Sequence, residues 1–163
     1  MNYPHGQVNC YHENGNLKFE GECNYGEIEG KGKEYHKNGV LHYEGNFCKN
    51  TPHAGYGELI NVNGVVAYKG ALVYGKAHGN GKMYYSNGEL FFEGEFCQDK
   101  PTGNSVRIKH ENGGVSYIGD YYVGQKCGLA SSYYKNGKLA QQGTFLGGPD
   151  NSKFMLVYDE TGC

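Results

Sequence analysis

The stretch Asn38-Gly39-Val40-Leu41-His42-Tyr43-Glu44-Gly45 joins a tight-turn dipeptide to a run whose apolar side chains alternate, Leu41 then Tyr43. Asn-Gly beside such runs is the strongest short-range hairpin signal, because a type I′ turn needs φ > 0 at both central positions and these residues tolerate it. Period-two alternation puts Leu41 and Tyr43 on one face of a strand. The dipeptide recurs at 14-15, 63-64, 87-88, 112-113 and 136-137, so successive copies fall 24, 25, 24, 25 and 24 residues apart. Self-similarity at that period makes the chain a repeat array before any finer assignment is made.

Other positions keep the same phase. A second glycine follows each turn at Gly21, Gly45, Gly70, Gly94, Gly119 and Gly143, and a third at Gly30, Gly55, Gly79, Gly103 and Gly128. A fourth series, Gly32, Gly57 and Gly81, decays to Ser105 and Ala130. The apolar alternation reads Leu17 and Phe19, Val66 and Tyr68, Leu90 and Phe92, Val115 and Tyr117, and continues to Cys23, Phe47, Leu72, Phe96, Tyr121 and Phe145. The opposite face is mostly charged, as in Lys18, Glu20 and Glu22. A second short run precedes each turn and carries Tyr11, Tyr35, Ile60, Tyr84, Tyr133 or Tyr158. Each repeat is therefore expected to be one β-hairpin, and no segment shows the capped 3.6-residue period of a helix. One extra residue falls between Gly45 and Gly55 and another between Gly103 and Gly113, which a turn or a bulge would absorb. Residues 144–157 fit the phasing least well, since Gln141 replaces the aromatic and Gly147-Gly148-Pro149-Asp150-Asn151-Ser152 interrupts it.

A lone hairpin is marginal in water, so the repeats must stack. The expected fold is all-β: a single-layer twisted antiparallel β-sheet ribbon of stacked β-hairpin repeats, about thirteen strands, with residues 1–163 forming one array that ends on a partial repeat at Thr161-Gly162-Cys163. In that geometry an aromatic ring can lie across a glycine of a neighbouring strand. A single layer leaves part of such a stripe uncovered, and exposed apolar surface marks an interaction site. Phe19, Tyr43, Tyr68, Phe92 and Tyr117, with Phe47, Phe96 and Tyr121, are accordingly the candidate partner-binding face. Open sheet edges make end-to-end self-association a further expectation.

Composition narrows the chemistry. At 163 residues and 37% apolar content there is no room for a second catalytic domain and little for a large core. Net charge is −2 and the 15 Lys and Arg are scattered, so nucleic acid is not an expected partner and attraction to anionic lipid should be weak. No signal peptide or membrane span is read, so the expected location is cytoplasmic, with a possible cytoskeletal association. Cys48 and Cys97 share a repeat phase two units apart and so lie beyond disulfide reach, while Cys23 and Cys48 point to opposite faces. Free thiols are expected, with Cys10 or Cys163 the remaining candidates for pairing. Sets such as Cys10 with His12, or His42, Cys48 and His53, match no closed zinc pattern, so no metal or cofactor is expected. Glu44, Glu93 and Asp120 read as a solvated repeat position rather than an acid/base pair, and no phosphate-binding glycine loop is present. No catalytic residue is assigned.

Three segments, His42 to Gly57 (HYEGNFCKNTPHAGYG), Ala67 to Gly81 (AYKGALVYGKAHGNG) and Phe91 to Gly103 (FFEGEFCQDKPTG), resemble the MORN (membrane occupation and recognition nexus) repeat. The extra residue between turn and Tyr-Glu-Gly, as at 38–45, resembles the longer variant of about 24–25 residues. His78 matches the His-Gly position, whereas Glu29, Ala54, Thr102 and Cys127 depart from it. The resemblance implies a non-catalytic scaffold or adaptor, since such arrays occur in junctional membrane and cytoskeletal proteins and beside kinase or methyltransferase domains. It implies a protein partner, an extended or helical segment on the aromatic face, with a peripheral phospholipid-binding role linking membrane and cytoskeleton as the alternative.

Overall fold

The computed structural model describes residues 5–146 and 154–157. Among these there is no helix, and the strands are β1 (Gly6–Tyr11), β2 (Leu17–Asn24), β3 (Glu27–Tyr35), β4 (Leu41–Cys48), β5 (Thr51–Pro52), β6 (Ala54–Ile60), β7 (Val66–Val73), β8 (Lys76–Tyr84), β9 (Leu90–Cys97), β10 (Lys100–Lys109), β11 (Val115–Tyr122), β12 (Gln125–Tyr133), β13 (Leu139–Leu146) and β14 (Phe154–Val157). The all-β class of stacked antiparallel hairpins is what the repeat demanded. The contacts divide the chain into two compact units, Met1–His78 and Gly79–Cys163, with the boundary inside β8.

In unit 1 the strands run in the order β1-β2-β3-β4-β5, and β6 pairs with β7. In unit 2 the order is β8 to β14, each strand beside its sequence neighbours. Burial follows the alternation: Phe19, Gly21 and Cys23 are buried in β2 while Lys18 and Glu22 are exposed. Phe19 lies over the bare backbone of the next strand, so that a Cβ at Gly32 would stand 2.5 Å from its ring. The rings also meet edge to face, Phe19 with Phe47 at 5.0 Å and Phe92 with Phe96 at 5.2 Å between centroids.

The turns are where sequence reasoning needs correction. At Asn14-Gly15 only the glycine has positive φ, at 83°. Gly15 N–H donates to His12 O, and His12 N–H to Asn16 O, enclosing three residues. This is a type I turn closed by a left-handed glycine, not type I′. The same pattern holds at the other five Asn-Gly pairs. The I′-like two-residue turns lie instead at the other end of the hairpins, at Tyr25-Gly26, Lys49-Asn50, Tyr74-Gly75, Gln98-Asp99 and Val123-Gly124, where both residues have positive φ. Sequence gave little sign of them because two of the five contain no glycine.

Both rows of turns are stitched to their neighbours. Asn14 Nδ2 donates to Lys37 O, Asn38 Nδ2 to Val62 O, Asn87 Nδ2 to Glu111 O and Asn112 Nδ2 to Lys135 O. Histidines add a parallel rung, with ring nitrogens of His12, His36 and His110 bonded to Tyr35 O, Ile60 O and Tyr133 O. On the opposite row, Asn50 N–H donates to Ile28 O, Gly75 N–H to Pro52 O and Gly124 N–H to Pro101 O.

Each extra residue is a bulge. In β10, Gly103 pairs with Tyr121 and Val106 with Gly119, so three residues span two, and Ser105 sits at φ 53°. In β6, Ala54 pairs with Leu72 and Gly57 with Gly70 in the same manner, so the first extra residue lies between Ala54 and Gly57 and not, as expected, between Gly45 and Gly55. Residues 147–153 and Tyr158 to Cys163, which carry the interrupting segment and the partial repeat, lie outside the described residues.

Two stability outcomes follow. Val123 holds a β-branched side chain at φ 44°, a conformation costly for any residue but glycine, asparagine or aspartate. Val123→Asn should raise unfolding free energy by about 1 kcal/mol in urea titration. Phe92, 0% exposed, should on truncation to alanine lose about 3–5 kcal/mol by the same measurement.

Candidate functional site

The eight rings expected to meet a partner are placed as core. In unit 1, Phe19, Tyr43, Phe47 and Tyr68 are at most 4% exposed, and in unit 2 Phe92, Phe96 and Tyr117 are at most 1%. Tyr121 alone is half-buried. The tyrosine hydroxyls are also spent internally: Tyr43 donates to Asn46 O, Tyr68 to Ala71 O and Tyr117 to Asp120 O, each three residues on. Burial of the ring pushes the Tyr43 and Tyr117 phenols up from their ordinary pKa, as expected for hydroxyls kept neutral in packing. The sequence argument left the stripe open because it counted one layer of side chains. It did not include how far each ring is enclosed by the neighbouring hairpins and by the aromatic side chains four residues on.

The opposite face carries a groove in each unit. In unit 1 a groove of about 620 Å³ has a floor of Gly21, Gly32 and Gly45, because three adjacent strands present backbone there. Its walls are polar and charged, among them Glu20, Glu22, Lys31, Lys33 and Glu44. Lys33 Nζ is 3.6 Å from Glu44 Oε1. Tyr35 donates its hydroxyl to Glu20 Oε1 at 2.7 Å, and this bond, followed by burial and the charges of Glu20 and Glu44, pushes its pKa up to about 12.

In unit 2 the same groove recurs from residues 98 positions later, at about 550 Å³, with Gly119, Ala130 and Gly143 as the floor. No charged side chain lines it, although Asp120, the counterpart of Glu22, accepts the N–H of the lining residue Ser105. Ile118 stands where unit 1 has Glu20, Leu129 where it has Lys31, Ser131 where it has Lys33, and Gln142 where it has Glu44. Leu129 is 79% exposed, the highest value among the exposed large apolar side chains. The cross-strand ion pairs of this face, Lys33 with Glu44, Lys69 with Glu58 and Lys82 with Glu93, give way here to an apolar patch rimmed by hydroxyls and amide. Sequence reasoning passed over Ile118 and Leu129. Aligning the polar faces of the repeats, rather than the aromatic ones alone, would have shown them.

No group of three or more His, Cys, Asp or Glu able to hold a metal occurs among the described residues. Cys10, Cys48, Cys97 and Cys127 are free thiols, and Cys163 lies outside the described residues. Glu44 and Glu93 are taken up in lysine pairs, and Asp120 accepts the Ser105 N–H at 2.9 Å. His36 and His42 approach to 4.6 Å between ring centroids, but both bond Ile60 O.

A family model described as MORN repeat variant matches residues 4–23, 28–49, 77–98 and 126–146, slightly more than half of the chain. The last three segments begin 49 residues apart, which is the double-repeat spacing. Repeats of this kind serve generally in protein and membrane interaction. No curated protein matches the chain.

The Tyr35 bond has a measurable pH signature. Its phenol ionises near 10 in the unfolded chain and near 12 in the fold. Its contribution to stability is thus complete below pH 10 and is lost as pH rises toward 12. Tyr35→Phe should make the fall in urea midpoint between pH 10 and 12 shallower than in the parent, and an equally steep fall would remove Tyr35 as a cause.

Proposed function

We propose, from the premise that the chain belongs to the MORN repeat variant family, that it is a non-catalytic scaffold that binds a protein segment in the uncharged groove of unit 2. The observation that carries the reading is the change of chemistry between two grooves of one geometry. A site that had only to be soluble would keep the lysine and glutamate walls of unit 1. Replacing them with Ile118 and Leu129 leaves a large apolar side chain in water on a sheet face, which marks a contact surface. Ser131, Gln142 and Thr144 around it can hydrogen-bond a backbone or polar side chain, the usual apolar centre and polar rim of an interface. The partner is an extended or helical segment with an apolar anchor. A place in the cytoplasm, within a larger cytoskeletal assembly, accords with this reading.

Leu129→Lys restores the residue type found at the equivalent position in unit 1 and leaves the ring packing intact. Affinity capture with the full chain, compared with Leu129→Lys and with Lys31→Ala as a control, tests the assignment. Loss of a specific protein with Leu129→Lys alone is the expected result. Retention by all three moves the contact elsewhere. Flotation with phosphatidylserine vesicles that ignores Leu129 would favour the peripheral lipid-binding role in its place.

A further inference from the structure

The ring nest of unit 1 also has a counterpart in unit 2 built 98 residues later, and two of its members change chemistry. Phe19, Phe47, Cys23 and Ile28 in the first correspond to Tyr117, Phe145, Tyr121 and Lys126 in the second. The ring pairs keep their geometry, edge to face at 5.0 and 5.5 Å. Cys23 faces Ile28 across its hairpin, Phe47 faces Pro52 and Phe96 faces Pro101. At the same place Tyr121 faces Lys126, an ammonium opposite a phenol where these hairpins carry apolar pairs.

Lys126 Nζ stands 5.0 Å from the Tyr117 ring centroid and 5.7 Å from that of Phe145. The residue is half-buried, and burial lowers the pKa of its amine. Neither Nζ nor the Tyr121 hydroxyl has an ion pair or hydrogen bond among the described residues. Asp120, the neighbouring acid, faces Cys127 and is engaged by Ser105. The rings hold the ammonium by cation–π attraction while leaving its donors unused.

We propose that Lys126 and Tyr121 form a carboxylate site that takes an aspartate or glutamate side chain of an acidic protein segment. The ammonium supplies charge, the phenol a second donor, and a carboxylate accepts both at once. The half-buried ring of Tyr121 offers apolar surface to the methylenes of such a side chain, which a small inorganic anion cannot use. The site is on the ring face of the sheet, whereas Ile118 and Leu129 are on the other, so the inference does not rest on the groove reading.

The test follows the Lys126 ¹³Cε resonance of the full chain during titration with a blocked tetraglutamate peptide, with blocked tetralysine and inorganic phosphate in parallel. A saturable shift at Lys126 with tetraglutamate alone is expected. Lys126→Met, which keeps the stem over the rings, should weaken binding by about tenfold or more. Tyr121→Phe should weaken it less, and Lys126→Arg should retain it. A Lys126 shift no larger than that of the exposed lysines would falsify the proposal. So would unchanged affinity in Lys126→Met, or phosphate saturating the site as tightly as the peptide.

Discussion

The packing of an aromatic ring onto the bare backbone of a glycine is the contact on which the rest of this protein depends. A sheet without helices has little with which to cover its apolar side chains, yet Phe19, Tyr43, Phe92 and Tyr117 are almost wholly removed from water. They achieve this because glycines let the rings lie flat against the sheet. At Gly32 even a methyl group would collide with Phe19. The same absence of side chains has a second effect. Gly21, Gly32 and Gly45 stand side by side in adjacent strands, so the face away from the rings has a trough along them. Core and groove are thus two sides of one row of glycines.

Ring packing alone would not fix the register of neighbouring hairpins, because one repeat offers the next much the same surface. The stitches along the two rows of turns supply that register. Four of the turn asparagines, Asn14, Asn38, Asn87 and Asn112, have two tasks: the Oδ1 closes the local turn, as Asn38 Oδ1 does for Val40 N–H, and the Nδ2 reaches the following turn. Neither bond is worth much alone, about 1 kcal/mol each, but a one-residue slip would break every one of them and turn the rings outward.

Much of this was legible in the residues. Three phased glycine series and the Leu-x-Tyr alternation give the hairpins, their strands and the position of the bulge in β10, whereas the one in β6 falls after Ala54 and not between Gly45 and Gly55. The turn type was not legible, because Asn-Gly satisfies a type I turn with a left-handed glycine as well as a type I′ turn, and the choice depends on how many residues the closing pair encloses. Lys49-Asn50 and Gln98-Asp99 were invisible as turns since neither contains glycine. The role of the rings was half legible: their contact with glycine was expected, and their complete burial was not, since it depends on neighbours in adjacent strands. The asparagine and histidine stitches were hidden for the same reason, as their partners lie 18 to 24 residues away.

The bulges alternate in kind. Positive-φ Gly30, Gly79 and Gly128 distort β3, β8 and β12, whereas β6 and β10 carry an inserted residue between Ala54 and Gly57 and between Gly103 and Val106. The building block is therefore a pair of unlike hairpins 49 residues long, not a single hairpin. A gene for such a protein can be lengthened or shortened cleanly only by whole pairs. Duplicating or deleting one hairpin would set two hairpins of the same kind side by side and break the alternation of bulges. Chain lengths among proteins built this way should accordingly step by the pair, and a designed extension should copy 49 residues rather than 24.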